Sequence, residues 1–211
     1  MKIVVFGASG GTGRELVRQG VALGHEVTAF VRNPASMEGQ SGVRIFAGNA
    51  LDDKAVTNAI VGQDAVLSAL GSHSLRDNSL LPEAIRRMLP AMQQNHIRRL
   101  IVLGAAGVWP GSRSKVSVVG KVVVGLLGMT LLRRPFQSQR AMQELIHTSD
   151  TDWTIVQPPF LLNAPGRGVY RVDGSSLPPR GMKIARADVA TFMLAQLGSA
   201  EWVRKSPFIA W

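Results

Sequence analysis

Lys2-Ile3-Val4-Val5-Phe6-Gly7-Ala8-Ser9-Gly10-Gly11-Thr12-Gly13 is the stretch whose reading decides the fold. Ile3 to Phe6 is apolar without alternation, as a strand must be when both of its faces are covered. The run stops at Gly7, and a helical pattern begins near Thr12. Leu16, Gly20 and Leu23 share its inner face, while Arg14, Glu15, Arg18 and Gln19 point elsewhere. A second apolar strand follows from Glu26 to Val31. Strand, glycine turn, helix and strand within about 30 residues form the context in which a dinucleotide fingerprint counts.

Each glycine has a task in such a turn. Gly7 permits the tight bend, Gly10 lets the backbone approach a pyrophosphate, and Gly13 lets helix and strand pack closely. Free N–H groups at the helix start then face the phosphates, with the positive end of the helix dipole behind them. Glycine-rich turns also open helices that bind nothing; the position directly behind a buried strand favours the binding reading. The end of the second strand addresses which dinucleotide. An NAD site places Asp or Glu about 20 residues past the glycines. Here that place holds Arg32, followed by Asn33, and Glu26 comes too early. Arg32 is able to clamp a 2′-phosphate through two parallel hydrogen bonds, so NADP(H) is expected over NAD(H). The plainer reading is a solvated surface arginine.

A length of 211 residues suits a single α/β domain spanning 1–211, with a six- or seven-strand sheet and helices on both faces. Cysteine is absent, which removes disulfides, thiolate catalysis and cysteine-held metal clusters and fits a reducing compartment. Met1 runs straight into the first strand, so no signal peptide is expected and a cytoplasmic location is the default. The formal charge of +10 comes partly from the doublets Arg86-Arg87, Arg98-Arg99 and Arg133-Arg134, dispersed along the chain. Such a field steers anionic small molecules. No helix-turn-helix or RNA-binding signature accompanies it, so no specific nucleic-acid partner is expected.

Further along, Val43 to Ala47 reads as a third strand. A helix then starts at Asp52-Asp53 and runs through about Val61, with Val56, Ala59 and Ile60 inward. Asp64 to Leu70 reads as the fourth strand and Arg98 to Leu103 as the fifth. Between them lies a helix from Asn78 to about Asn95, interrupted or staggered by Pro82 and Pro90. Gln137 to Thr148 reads as a helix and Trp153 to Gln157 as the sixth strand, ended by Pro158-Pro159. Residues 160–182 read as a small substrate lobe with a short strand at Val169 to Val172. Ala187 to Leu197 reads as a helix burying Val189, Phe192, Met193 and Leu197, and Pro207 to Trp211 as a last edge strand. Strands alternating with helices argue a doubly wound parallel sheet, with the strands' carboxyl ends lining one crevice. Val116 to Leu132 is apolar but too short, too glycine-rich and too charged at Lys121 for a membrane span. It reads as a flap over a substrate pocket or as a subunit contact, in a monomer or homodimer.

With the GxxGxxG turn, Arg32, Gly62-Gln63-Asp64-Ala65-Val66, Leu70-Gly71, Pro158-Pro159 and Ala187-Asp188-Val189 in place, the chain resembles the atypical short-chain dehydrogenases. It is nearest the branch of biliverdin-IXβ reductase and flavin reductase. The likeness is densest over residues 2–71 and thin over 105–136. It implies that Gly7, Ser9, Gly10, Gly11, Thr12 and Gly13 hold the pyrophosphate and that Arg32 and Ser36 meet the 2′-phosphate. Asn49 and Ala50 would flank adenine, Leu70 and Gly71 the ribose, and Leu103, Pro159 and Phe160 the nicotinamide. Three positions depart from the family: Asn49 replaces the usual Asp, Ala105 a serine and Phe160 a histidine.

The chemistry left is spare. The single tyrosine, Tyr170, is followed four residues later by Gly174, so the Tyr-x-x-x-Lys pair of ordinary short-chain dehydrogenases does not exist here. Of four histidines, His25 and His96 read as structural, and His147 as a cation at a helix end. His73 follows a strand on the cofactor edge and is the first candidate to touch substrate, with Gln139 the second. Hydride transfer to a flavin needs no protein acid, only distance, orientation and exclusion of water. A pocket of Leu103, Trp109, Phe160 and the 116–132 segment suits a flat ring. The reading is an NADPH-dependent reductase of a flat aromatic acceptor: a flavin, a quinone or a tetrapyrrole-like molecule. Its competitor is a non-catalytic NADP(H) sensor, and a third reading is an assembly factor on the same fold.

Overall fold

The computed structural model describes residues 1–71, 79–106 and 133–211, without the side chains of Arg133 and Arg134. Its elements begin with β1 (Lys2–Phe6), α1 (Gly11–Ala22), β2 (Glu26–Val31), a 3-10 turn (Pro34–Met37), β3 (Val43–Ala47), α2 (Asp53–Ile60) and β4 (Ala65–Ser68). They continue with α3 (Leu80–Gln94), β5 (Arg99–Leu103), α4 (Arg133–His147) and β6 (Asp152–Val156). The lobe follows: β7 (Phe160–Leu162), β8 (Arg171–Asp173), β9 (Lys183–Ala185), α5 (Arg186–Ala195) and β10 (Phe208–Ala210). The expectations placed on His73, Trp109 and the 116–132 segment lie outside the described residues.

Six parallel strands form one sheet in the order β3-β2-β1-β4-β5-β6. The chain reverses direction across the sheet between β1 and β4, and a crevice opens outside the carboxyl ends there. Both faces are covered. Ile3 and Val5 pack with Leu16 and Val17 of α1 and with Val189 and Met193 of α5. Val4 and Phe6 pack with Val56 and Ile60 of α2, Ile85 and Met88 of α3 and Met142 of α4. This is why β1 is apolar from Ile3 to Phe6: successive residues point to opposite layers, and each layer is dry.

Several boundaries differ from the sequence reading. Leu23 is 64% exposed, because α1 ends at Ala22 and Val17 takes the buried position instead. No break occurs in α3. Pro82 sits in its first turn, where an N–H has no intrahelical partner anyway, and Pro90 is carried inside the helix. The strand expected at Val169 to Val172 is β8 at Arg171–Asp173, paired antiparallel with β10. β7 and β9 form a further two-stranded parallel sheet that the sequence reading did not contain.

The doublets Arg86-Arg87 and Arg98-Arg99 are spent on structure. Arg87 bonds Glu83 at 2.8 Å and lies 3.4 Å from Asp53. Arg98 grips both oxygens of Asp152 at 3.1 Å. Arg99 is half-buried, and its Nη2 donates to Gln196 O at 2.7 Å and Thr154 Oγ1 at 2.9 Å. The lobe is tied down by Asp188, which is buried in the first turn of α5. It accepts N–H groups from Arg167 at 2.9 Å, Gly168 at 3.0 Å and the Trp211 indole at 2.7 Å. The Arg167 guanidinium lies 3.8 Å from the centre of the Trp211 ring.

Candidate functional site

The glycine turn makes three different demands. Gly7 has φ +75°, and a β carbon there would lie 2.7 Å from the Ala69 backbone. At Gly13 a β carbon would lie 2.0 Å from Gly7 O. At Gly10 the nearest atom would be Gly7 O at 3.3 Å, with nothing else within reach. Two glycines are therefore demanded by the protein itself, and the third leaves space open above the helix. Gly10 is also the N-cap of α1: no side chain caps the helix and no acid occupies its first turn. The positive end of the dipole is left for a ligand, as a pyrophosphate cradle requires. Gly11 answers to another neighbour, since its β carbon would lie 2.6 Å from Arg186 Cδ.

Beside the turn lies a cavity of about 280 Å³ at the carboxyl ends of β1 to β4. Gly7, Ser9, Arg32, Asn49, Ala50 and Leu70, all expected at the cofactor, line it. Phe30, Leu51 and Leu80 line it as well and were not anticipated. Phe30 stacks on Phe46, 5.7 Å away, and meets the tilted ring of Phe6 at 4.5 Å. Its signal was its place at the end of β2, two residues before Arg32. Arg32 is exposed and makes no hydrogen bond or ion pair among the described residues. Asn49 Oδ1 already accepts the Leu51 N–H at 3.1 Å, which leaves it one lone pair for an adenine amine. Ser36 is not part of the lining, and its hydroxyl donates to Asn33 O at 2.6 Å. To meet a phosphate it would have to rotate.

At the other end of the crevice, Leu103 closes β5 nearly buried, while Phe160 stands 65% exposed at the start of β7. Phe160 is thus an open apolar face rather than a packed wall. Gln139 sits on α4 with its Oε1 buried and without a partner among the described residues. One turn further, Gln143 and Gln157 bring their amides to 3.4 Å, both fully buried. Gln157 Oε1 and Ser138 Oγ find no partner among the described residues. This polar patch under the ends of β5 and β6 escaped the sequence reading. Its only trace there was a glutamine directly before Pro158.

Tyr170 packs edge-on against Phe192 of α5 at 5.9 Å, and burial pushes its pKa up. His147 sits in the last turn of α4, at the helix end expected of it. Its ring lies tilted 4.8 Å from that of Trp153, and burial lowers its pKa against the pull of Glu144. A larger cavity of about 590 Å³ lies by His96, Arg98 and Thr151, at the amino ends of β5 and β6, away from the crevice at the carboxyl ends. Among the described residues no cluster of His, Asp and Glu suits a metal ion, and no helix is long and apolar enough to cross a membrane.

Residues 7–200 match the NAD(P)H-binding family. The chain belongs to it. The fold-level likeness agrees: this NAD(P)H-binding protein superposes on a wide-type short-chain dehydrogenase/reductase from Veillonella parvula, solved with NADP, at TM-score 0.79 and 18% identity. That match covers all of this chain and 94% of the other. ChuY, an anaerobillin reductase from Escherichia coli O157:H7, gives TM-score 0.79 at 21% identity over 100% and 97% of the two chains. Among curated relatives, an isoflavone reductase homolog from Zea mays is 34% identical over 95 residues, 40% of this chain and 31% of its own length. The uncharacterized protein YwnB of Bacillus subtilis (strain 168) is 36% identical over 107 residues, 51% of this chain and 48% of its own. The chain thus spans about a third to a half of the length of these curated relatives. The doubly wound Rossmann fold and the nicotinamide dinucleotide expected from the glycine turn are those of the family.

Proposed function

We propose that this protein is an NADPH-dependent reductase that passes hydride to a flat acceptor such as a flavin, a quinone or a tetrapyrrole-like molecule. The observation that carries this reading is the polarity of one crevice. Arg32, without a partner among the described residues, stands at its adenosine end, and an exposed Phe160 stands beyond Pro158-Pro159 at the other. When bound, the dinucleotide supplies the hydride from its nicotinamide. The protein holds the pyrophosphate on the α1 N-terminus, and Arg32 clamps the 2′-phosphate. Leu103 and Pro159 bound the nicotinamide, and Phe160 offers its ring to the acceptor. Gln139 donates its side-chain amide to an acceptor carbonyl. With Tyr170 packed against Phe192, protons come from solvent, and rate arises from distance, orientation and excluded water. The anaerobillin reductase among the structural neighbours supports a tetrapyrrole-like acceptor alongside flavins.

NADPH oxidation measured with FMN, FAD, a quinone and a linear tetrapyrrole tests the reading. Turnover with at least one acceptor, faster with NADPH than with NADH, is expected. Tight NADPH binding without turnover on any of them would replace the reductase with an NADP(H) sensor.

A further inference from the structure

Arg14 stands directly after Gly13 in the first turn of α1, and its guanidinium reaches out of the helix to two different loops. Nε donates to Ser9 O at 3.1 Å, and Nη2 donates to Ser36 O at 2.5 Å. Ser9 lies in the glycine turn and lines the adenosine cavity. Ser36 lies in the 3-10 turn Pro34–Met37 that follows Arg32. That turn is knotted on Asn33. The Asn33 side chain accepts the Ala35 N–H at 3.1 Å, and its carbonyl accepts the Ser36 hydroxyl at 2.6 Å and the Ser36 N–H at 3.1 Å. Arg32 immediately precedes this knot. Among the described residues, Arg14 makes the only hydrogen bond between the knot and the glycine turn.

We infer that Arg14 is a specificity-determining positioning residue for the 2′-phosphate: it clamps the Asn33–Met37 knot to the glycine turn so that Arg32 faces the ribose end of the cavity. The inference rests on the NADP(H) reading above and deepens it. A planar guanidinium holds two acceptors at a set separation, which an ammonium does not. Arg32 itself is exposed and has no partner among the described residues, so the cost of ordering it falls on phosphate binding unless its backbone is already held. Arg14 spends two of its five donors on the two carbonyls, and its charge adds to the positive potential at that end of the crevice. A purely structural tether would serve the two cofactors equally. A clamp acting through Arg32 serves only the one that carries the phosphate.

The test uses the full chain as wild type, Arg14→Met, Arg14→Lys, Arg32→Ala and the double variant Arg14→Met/Arg32→Ala. NADPH and NADH are titrated by cofactor fluorescence, and thermal unfolding checks that each variant is folded. Arg14→Met is expected to weaken NADPH about tenfold and NADH less than about twofold. Arg14→Lys recovers part of the loss, because a point charge replaces the charge but not the fork. In the Arg32→Ala background the same Arg14→Met change costs NADPH less than about threefold, since nothing is left to position. Equal losses for both cofactors, or a full tenfold loss without Arg32, overturn the inference. So does an NADPH preference that survives Arg14→Met, and in that case the NADP(H) reading stands. A wild type with no preference for NADPH removes that reading and the inference with it.

Discussion

A β carbon on Gly13 would stand 2.0 Å from the carbonyl oxygen of Gly7, so α1 leaves β1 with no room for a single added atom. Gly10 meets the same oxygen at 3.3 Å and nothing else. The two glycines therefore fail differently. Gly13→Ala is expected to cost about 3 kcal/mol of stability through overpacking against backbone that cannot yield. Gly10→Val should leave circular dichroism unchanged and abolish dinucleotide binding by filling the pyrophosphate space. Cofactor fluorescence and unfolding curves on the two variants check the contrast, and retained binding in Gly10→Val would make that turn merely structural.

In the proposed function Arg32 carries the choice of cofactor. Arg32→Ala should lose about 1.5–3 kcal/mol of NADPH binding, the range for a hydrogen bond to a charged group, and little for NADH. Titrations with both cofactors decide it. Equal losses would show that the side chain does not read the phosphate.

Phe160 is 65% exposed, so truncating it costs the fold little. Phe160→Ala should shift stability by less than about 0.5 kcal/mol and slow flavin reduction about tenfold through loss of a stacking surface. The rate should fall while NADPH affinity holds. An unchanged rate would move the acceptor elsewhere in the crevice.

Asp188 is buried and accepts three N–H groups, from Arg167, Gly168 and Trp211. Asp188→Ala leaves those donors without an acceptor and should cost about 3 kcal/mol. Because the three donors lie in the lobe and at Trp211, limited proteolysis should cut the 163–182 region first, with the sheet still protected in hydrogen exchange. Uniform loss of protection would mean that lobe and sheet unfold together.

Burial lowers the pKa of both His25 and His147 in the folded chain. In the unfolded chain an imidazole titrates near about 6.5. Below that pH the unfolded chain takes up protons that the folded chain refuses. Stability therefore declines as pH falls through about 6.5 and levels off once the folded pKa values are passed. His147→Gln, which cannot titrate, should show a shallower loss between pH 7 and 5 in thermal unfolding. A slope identical to wild type would assign the effect to other groups.

Residues 2–71 declared themselves because each element there obeys a local rule. A dry strand shows an unbroken apolar run, Gly7 and Gly13 mark contacts too close for a side chain, and Asp52 caps α2 by accepting from Lys54 N and Ala55 N. Arg32 could be singled out because the distance from glycine turn to strand end is set by the length of one helix and one strand. Beyond that, periodicity ran short. Three-residue strands such as β7 and β9 hold too few side chains to show a period, and only their pairing with each other defines them.

Composition and pattern thus determined the fold class, the dinucleotide turn and the missing phenolate pair. Only tertiary structure decided which polar groups act together. Arg14 reaches Ser36 across 22 residues, Gln19 reaches Ala187 across 168, and Gln157 meets Gln143 inside the core. Hydrophobic periodicity records which face of an element is dry. A hydrogen bond between distant segments depends on where folding brings one donor and one acceptor, and it leaves no repeat in the chain to read.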